Sequence, residues 1–172
     1  MLKIYHYVRS LESAITRISS IPPLSHESAG VVEGIHPVKH QLHAAAVIQQ
    51  AGETKEKAVL IADESGMGKT MTACIGALAN HNPDNSIVLI VVPSNATNQW
   101  KSEIQKSYGD RFNIHMLKQS DCLDPDDVFQ HDIVIVTYDL VQDELDRTHA
   151  YHRELSQWAK AKGNSPPPGQ PL

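Results

Sequence analysis

The chain has 172 residues, enough for one ordinary domain and too few for two with separate cores, which excludes a complete two-lobed motor. Hydrophobic residues make up 41% and charged residues 20%, values ordinary for a chain that folds. Lys and Arg total 15 against 20 Asp and Glu, a formal charge of −5, so the bulk field repels a phosphate backbone and any nucleic-acid contact must be local.

In chain order, Leu2, Tyr5, Val8, Leu11, Ile15 and Ile18 fall at steps of three and four, which predicts a helix whose apolar stripe covers part of a core. Ile21-Pro22-Pro23 breaks it, and the Ser-, Gly- and Pro-containing stretch to Gly34 reads as a connector. The compact domain is expected from Ile35. Pro37 suits the entry of a helix that the Ala-rich run Gln41 to Gln50 carries to Gly52. Ala58 to Ala62 is apolar without alternation, as in a strand buried on both faces of a parallel sheet.

A Gly-rich turn at 63–68 leads into a predicted helix from Lys69 to Asn80, followed by a second apolar strand, Ile87 to Val92. Pro93-Ser94-Asn95 ends that strand, and Trp100, Ile104 and Tyr108 space the buried face of a helix that stops at Gly109. Shorter strands fit Asn113 to Leu117 and Ile133 to Thr137, and a short helix fits Tyr151 to Lys162. The last ten residues, rich in Pro, read as a flexible tail. The βαβαβ alternation predicts an α/β sheet with right-handed crossovers. Cys74 and Cys122 stand far apart, without the spacing of a disulfide framework or a zinc site, and the apolar runs fall well short of the roughly 20 residues of a membrane span.

The segment that carries chemistry is Asp63-Glu64-Ser65-Gly66-Met67-Gly68-Lys69-Thr70, between a predicted strand and a helix. A phosphate-binding loop needs this order. The strand delivers the loop, glycines let backbone N–H groups converge on phosphate oxygens, and the helix N-terminus adds a favourable dipole. Lys69 then meets the outer phosphates and the Thr70 hydroxyl holds Mg²⁺. The strict Walker pattern asks for glycine where Asp63 stands. The bland alternative is a strand-to-helix turn with a solvated lysine.

Asp-Glu-x-Gly-x-Gly-Lys-Thr after a short apolar strand resembles the first motif of the Swi/Snf-type chromatin-remodelling ATPases, a branch of the superfamily-two helicase-like motors. Three further matches follow in order between about residue 35 and 145. His36-Pro37-Val38-Lys39-His40-Gln41 is similar to the family's upstream segment, whose glutamine, here Gln41, reads the adenine edge. Ile90-Val91-Val92-Pro93-Ser94 with Gln99-Trp100-Lys101-Ser102-Glu103 resembles the second motif, and Ile133 to Tyr138 the third.

The resemblance implies an α/β fold of RecA-like type, a P-loop sheet with flanking helices forming an incomplete first helicase-type lobe over 35–162, after an N-terminal helix and connector at 1–34 and before a disordered tail at 163–172. It implies ATP and Mg as cofactors, held by Gln41 and residues 63–70. Double-stranded DNA or a nucleosome is the implied partner, contacted at Ser94 and Thr137, in a nuclear protein. Both hydroxyl residues could instead cap the helices that follow them.

Two departures matter. Ser65 stands where the family usually has Met. No apolar strand ending in Asp-Glu follows Tyr138, because Asp143-Glu144 lies too close behind the third motif to be a separate strand. That pair would hold Mg²⁺ and position the attacking water, so the chain reads as binding ATP without hydrolysing it, with Ala58 to Ala62 left at an open sheet edge. The rival readings are a small unrelated P-loop NTPase and a non-catalytic P-loop interaction module.

Overall fold

The computed structural model describes residues 12–53, 57–78, 81–82, 86–118, 121, 125–160 and 169. These form two compact units, one from the described residues of 1–85 with 102–111, the other from those of 86–101 and 112–172.

The first unit is helical. Helix α1 covers 12–19, where Ile15 is 62% exposed and Ile18 41%. These two side chains stay largely in water and do not cover a core as expected. Leu2 to Leu11 lie outside the described residues. Helix α2 is a single turn, His26–Ala29, whose first turn is capped by Ser25 Oγ accepting from the Ser28 N–H at 3.0 Å.

The expected connector is instead built into the unit. Ala29 belongs to a buried cluster with Leu42, Ala45 and Ile75, against which Leu24, Val31 and Met71 pack. The Leu24 N–H donates to the Leu42 carbonyl at 3.2 Å, the Val32 N–H to the Ser107 carbonyl at 2.8 Å, and Arg111 Nη1 to the Gly30 carbonyl at 3.2 Å. Composition marks this stretch as loop-like. Composition does not reveal that its carbonyls and amides find fixed partners.

Helix α3, Lys39–Ala51, starts two residues after the fully buried Pro37 and buries Leu42, Ala45 and Ala46 on one face. Helix α4, Lys69–Leu78, buries Thr72, Cys74, Ile75, Gly76 and Leu78. Cys74 is 4% exposed, and its thiol is pushed up to about 12, first by burial and then by the Glu103 carboxylate, so it is no reactive thiolate in the folded unit.

Gly76 sets the distance between these helices. A Cβ there would lie 2.7 Å from Ile48 Cβ and 2.8 Å from its Cδ1 and Cγ2. Gln41 faces Gly68 at one end and Ile48 faces Gly76 about two turns further along each helix, so α3 and α4 run side by side in the same direction.

The expected strand Ala58 to Ala62 is not formed. Leu60 is 90% and Val59 40% exposed, and among the described residues no strand pairs with this segment. An apolar run makes a strand only when a partner ladder satisfies its amides and carbonyls, and apolar composition alone does not supply that partner.

The second unit holds a parallel sheet of β1 (Val88–Val92), β2 (Ile114–Met116) and β3 (Ile133–Thr137) in the order β1-β3-β2. Ile133 to Val136 on the central strand are at most 4% exposed, as a continuous apolar run in a covered parallel sheet should be. At the edge, Leu89 is 56% exposed. Helix α5, Thr97–Tyr108, follows β1 through a 3₁₀ turn at Ser94–Ala96, α6 is the short turn Pro125–Val128, and α7 runs from Tyr138 to Lys160. Sequence periodicity anticipated only the second half of α7. Of the tail, residues 163–168 and 170–172 lie outside the described residues.

Replacing Gly76 by Leu inserts a side chain where no Cβ fits, and overpacking of this kind typically costs about 1–3 kcal/mol. Urea unfolding followed by circular dichroism should show that loss, and adding Ile48→Ala to Gly76→Leu should recover part of it. Strictly additive costs would mean that the two positions do not touch.

Candidate functional site

The loop of 63–68 closes with a turn in which the Met67 N–H donates to the Glu64 carbonyl at 3.3 Å. Gly66 occupies its third position with φ 86°, and Gly68, which begins α4 by accepting the Thr72 N–H at 3.0 Å, has φ 76°. Both values lie in the left-handed region that glycine tolerates, so the two loop glycines are required by the backbone itself. Thr72 Oγ1 donates to the same Gly68 carbonyl at 3.3 Å.

Side chains of the unit take up the carbonyl groups of Asp63, Glu64 and Met67. Lys69 folds back so that Nζ donates to the Asp63 carbonyl at 2.9 Å and the Glu64 carbonyl at 2.8 Å. The Met67 carbonyl accepts from Gln41 Nε2 at 3.2 Å, and His40 Nε2 lies 3.4 Å from it. By contrast, among the described residues none of the N–H groups of Ser65, Gly66, Gly68, Lys69, Thr70 and Met71 has a hydrogen-bond partner. Several of these are the unsatisfied donors of a helix first turn, and together they concentrate positive potential on an exposed loop. The arrangement suits an anion with several oxygens. Lys69 brings the cation, and the half-buried Thr70 stands where its hydroxyl is available for a divalent ion.

Gln41 is 8% exposed. Its Oε1 accepts from the Val38 N–H at 3.0 Å, half of a capping box for α3, while Nε2 binds the loop. The side chain expected at an adenine edge is thus engaged at both ends by its own chain. A Cβ on Gly68 would push the Gln41 amide, the end of a flexible side chain, off its place against the loop, while the positive φ is what calls for glycine. Sequence reading located Gln41 and the loop but missed their bond, and it passed over Gly76, whose place inside an apolar helix was the available signal.

Thr137 ends β3, paired with Val92 at the end of β1, and Ser94 follows β1 in the 3₁₀ turn Ser94–Ala96. Ser94 is exposed. Thr137 Oγ1 accepts the Leu140 N–H at 3.2 Å and so caps α7. Beside it, a pocket of about 290 Å³ at the C-terminal ends of β2 and β3 is lined by Thr97, Asn98, Met116, Lys118, Ile135 and Thr137 among others. Asp143 and Glu144 lie on α7, where Glu144 pairs with Arg147 at 3.6 Å, and not at the end of a strand.

The SNF2-related domain model matches residues 40–161. An ATP-dependent helicase of Schizosaccharomyces pombe is 26% identical over 142 residues, covering 77% of this chain and 14% of that protein. The RNA polymerase-associated protein RapA of Sodalis glossinidius is 33% identical over 128 residues, covering 68% of this chain and 12% of its own length. The chain therefore spans less than one sixth of these relatives. In three dimensions the fold is similar to the Sulfolobus solfataricus SWI2/SNF2 ATPase core, solved in complex with double-stranded DNA, at a TM-score of 0.53 and 16% identity over 62% of this chain and 22% of that one. This likeness carries the RecA-like α/β fold. Since the family match takes in most of the sequence, from the glutamine segment through the loop to the end of α7, the chain belongs to the SNF2-related domain family.

Proposed function

We propose that the chain is the ATP-binding part of the first RecA-like lobe of a DNA-dependent ATPase. The observation that carries this reading is the sorting of polar groups in residues 63–71, with carbonyl groups turned to Lys69 and Gln41 and N–H donors left for an anion. ATP is the family's nucleotide. Its β- and γ-phosphates fit the donors of 65–71, with Lys69 leaving the Asp63 and Glu64 carbonyls to meet them, and Thr70 is placed to hold Mg²⁺. When bound, Mg²⁺ would neutralise phosphate charge.

Hydrolysis needs more. A carboxylate must position the attacking water, and among the described residues no strand ends in Asp-Glu. The 172 residues by themselves are therefore read as holding ATP without turning it over.

For the polymer partner, double-stranded DNA is the reading that suits the whole family. RapA relatives occur in bacteria, so a nucleosome substrate and a nuclear location do not follow from membership alone. The proposed contacts are at the C-terminal ends of β1 and β3. There the Thr137 hydroxyl spends a lone pair on the α7 cap and keeps its proton to donate to a phosphate oxygen, and Ser94, in the turn that follows β1, is exposed.

Two outcomes are expected. Lys69→Ala removes the loop's one ammonium, and calorimetry should show Mg·ATP affinity falling roughly ten- to a hundredfold, the equivalent of about 1.5–3 kcal/mol for a charge-assisted contact. Equal binding by wild type and variant contradicts the site, and DNA-stimulated turnover by the wild-type chain contradicts the inability to hydrolyse. DNA binding should be weaker than micromolar at physiological salt and independent of sequence, with a log–log salt slope of about −2 for two phosphates. Sub-micromolar affinity or a sequence preference contradicts the assignment of Ser94 and Thr137.

A further inference from the structure

We infer that the Ser65 hydroxyl is a further phosphate-binding group, donating to the outermost phosphoryl group of the nucleotide, and that it makes this chain favour a triphosphate over a diphosphate. The inference rests on the nucleotide-binding reading of residues 63–70. It adds a side chain to a set of donors made of backbone N–H groups and Lys69, at the loop position where methionine is usual in the family.

The placement comes from the turn and from Lys69. Ser65 and Gly66 are the two central residues of the turn that the Met67 N–H closes on the Glu64 carbonyl at 3.3 Å. Gly66 has φ 86° and Ser65 has no positive φ, the combination of a type II turn, and Ser65 stands at its exposed corner. Lys69 Nζ reaches the same corner. It donates at 2.8 Å to the Glu64 carbonyl, which belongs to the peptide group that joins Glu64 to Ser65. The lysine of such a loop meets the outer phosphates. A phosphoryl group that takes Nζ over from the Glu64 carbonyl therefore arrives one peptide group away from the Ser65 side chain, and the N–H groups at the start of α4 are left for the inner phosphates.

The hydroxyl is available for this contact. Ser65 is exposed, its Oγ has no hydrogen-bond partner among the described residues, and a Cβ on the adjoining Gly66 would meet nothing within 4 Å, so the corner has room for a ligand. A hydroxyl donates one proton, whereas the thioether of methionine only accepts, and weakly. The loop has use for a neutral donor. Asp63 and Glu64 bring two negative charges against the one positive charge of Lys69, so its charged side chains taken together do not favour a polyphosphate. A serine hydroxyl adds attraction for a phosphate oxygen without altering that balance.

The test is calorimetry on the full chain with Mg·ATP and Mg·ADP, joined to the phosphorus-31 spectrum of bound ATP. Ser65→Ala removes the hydroxyl at an exposed turn position, Ser65→Met installs the residue usual in the family, and Ser65→Thr keeps a hydroxyl. Ser65→Ala and Ser65→Met should bind ATP roughly tenfold more weakly, the scale of one hydrogen bond to a charged group, with ADP affinity held within about twofold. Ser65→Thr should keep wild-type affinity for both nucleotides. In Ser65→Ala the resonance of the terminal phosphorus of bound ATP should shift, with those of the two inner phosphorus atoms unmoved.

Unchanged ATP affinity in Ser65→Ala overturns the inference and leaves Ser65 an ordinary turn residue. Equal weakening of ATP and ADP also overturns it, since that is the mark of a displaced backbone, and so does a Ser65→Thr variant as weak as Ser65→Ala. Wild-type protein that binds neither nucleotide overturns the nucleotide-binding reading itself, and this inference with it.

Discussion

The contact on which the first unit depends is the approach of α4 to α3 at Gly76. With Ile48 atoms less than 3 Å from where a Cβ would be, the helices are too close for any side chain at 76 without a shift. That closeness fixes their register, and the register places the first turn of α3 beside the first turn of α4. Gln41 can then reach the Met67 carbonyl, and a side chain at 68 would displace it. Glycine in a helix interior costs about 1 kcal/mol relative to alanine. The burial of Leu42, Ala45 and Ile75 in the same contact is worth several times that at ordinary transfer values.

The loop is consequently held from its helical side. In the usual arrangement a strand delivers the chain into such a loop, but here residues 58–62 are exposed and unpaired among the described residues. What keeps 63–68 in shape is a set of bonds to its carbonyl groups, from Lys69 on one flank and Gln41 on the other, with two left-handed glycines between them. With the Asp63, Glu64 and Met67 carbonyls occupied by Lys69 and Gln41, these bonds both shape the loop and leave N–H donors to set its charge preference.

What the sequence disclosed follows the range of the forces involved. Pro37 and Gly52 bracket α3, the unbroken run Ile133 to Val136 marks the buried central strand, and Ile104 and Tyr108 are buried in α5 as their spacing requires. These are local patterns read by local rules. Ala58 to Ala62 has the composition of a buried strand, yet a strand is a property of a pair, and its partner ladder is not among the described residues. The stretch 24–32 failed in the opposite sense. Its loop-like composition conceals hydrogen bonds to Leu42, Ser107 and Arg111, contacts distant in sequence. The first half of α7 went unseen because Asp139, Gln142, Asp143 and Glu144 dilute its apolar face, and no residue of that helix is buried. In the site, the chemistry-bearing residues 63–70 and Gln41 were legible from their order. The bond that joins them was not, since it depends on how close two helices can come.

The claim that the loop is fixed by α3 and α4 in place of a strand is tested most directly by amide hydrogen exchange over residues 57–78 of the ligand-free chain. The account predicts rapid exchange at 58–62, close to that of an unstructured peptide, with strong protection from Thr72 to Leu78 in α4. Protection at 58–62 equal to that of Ile133 to Val136 would show a paired strand behind the loop and would contradict the account.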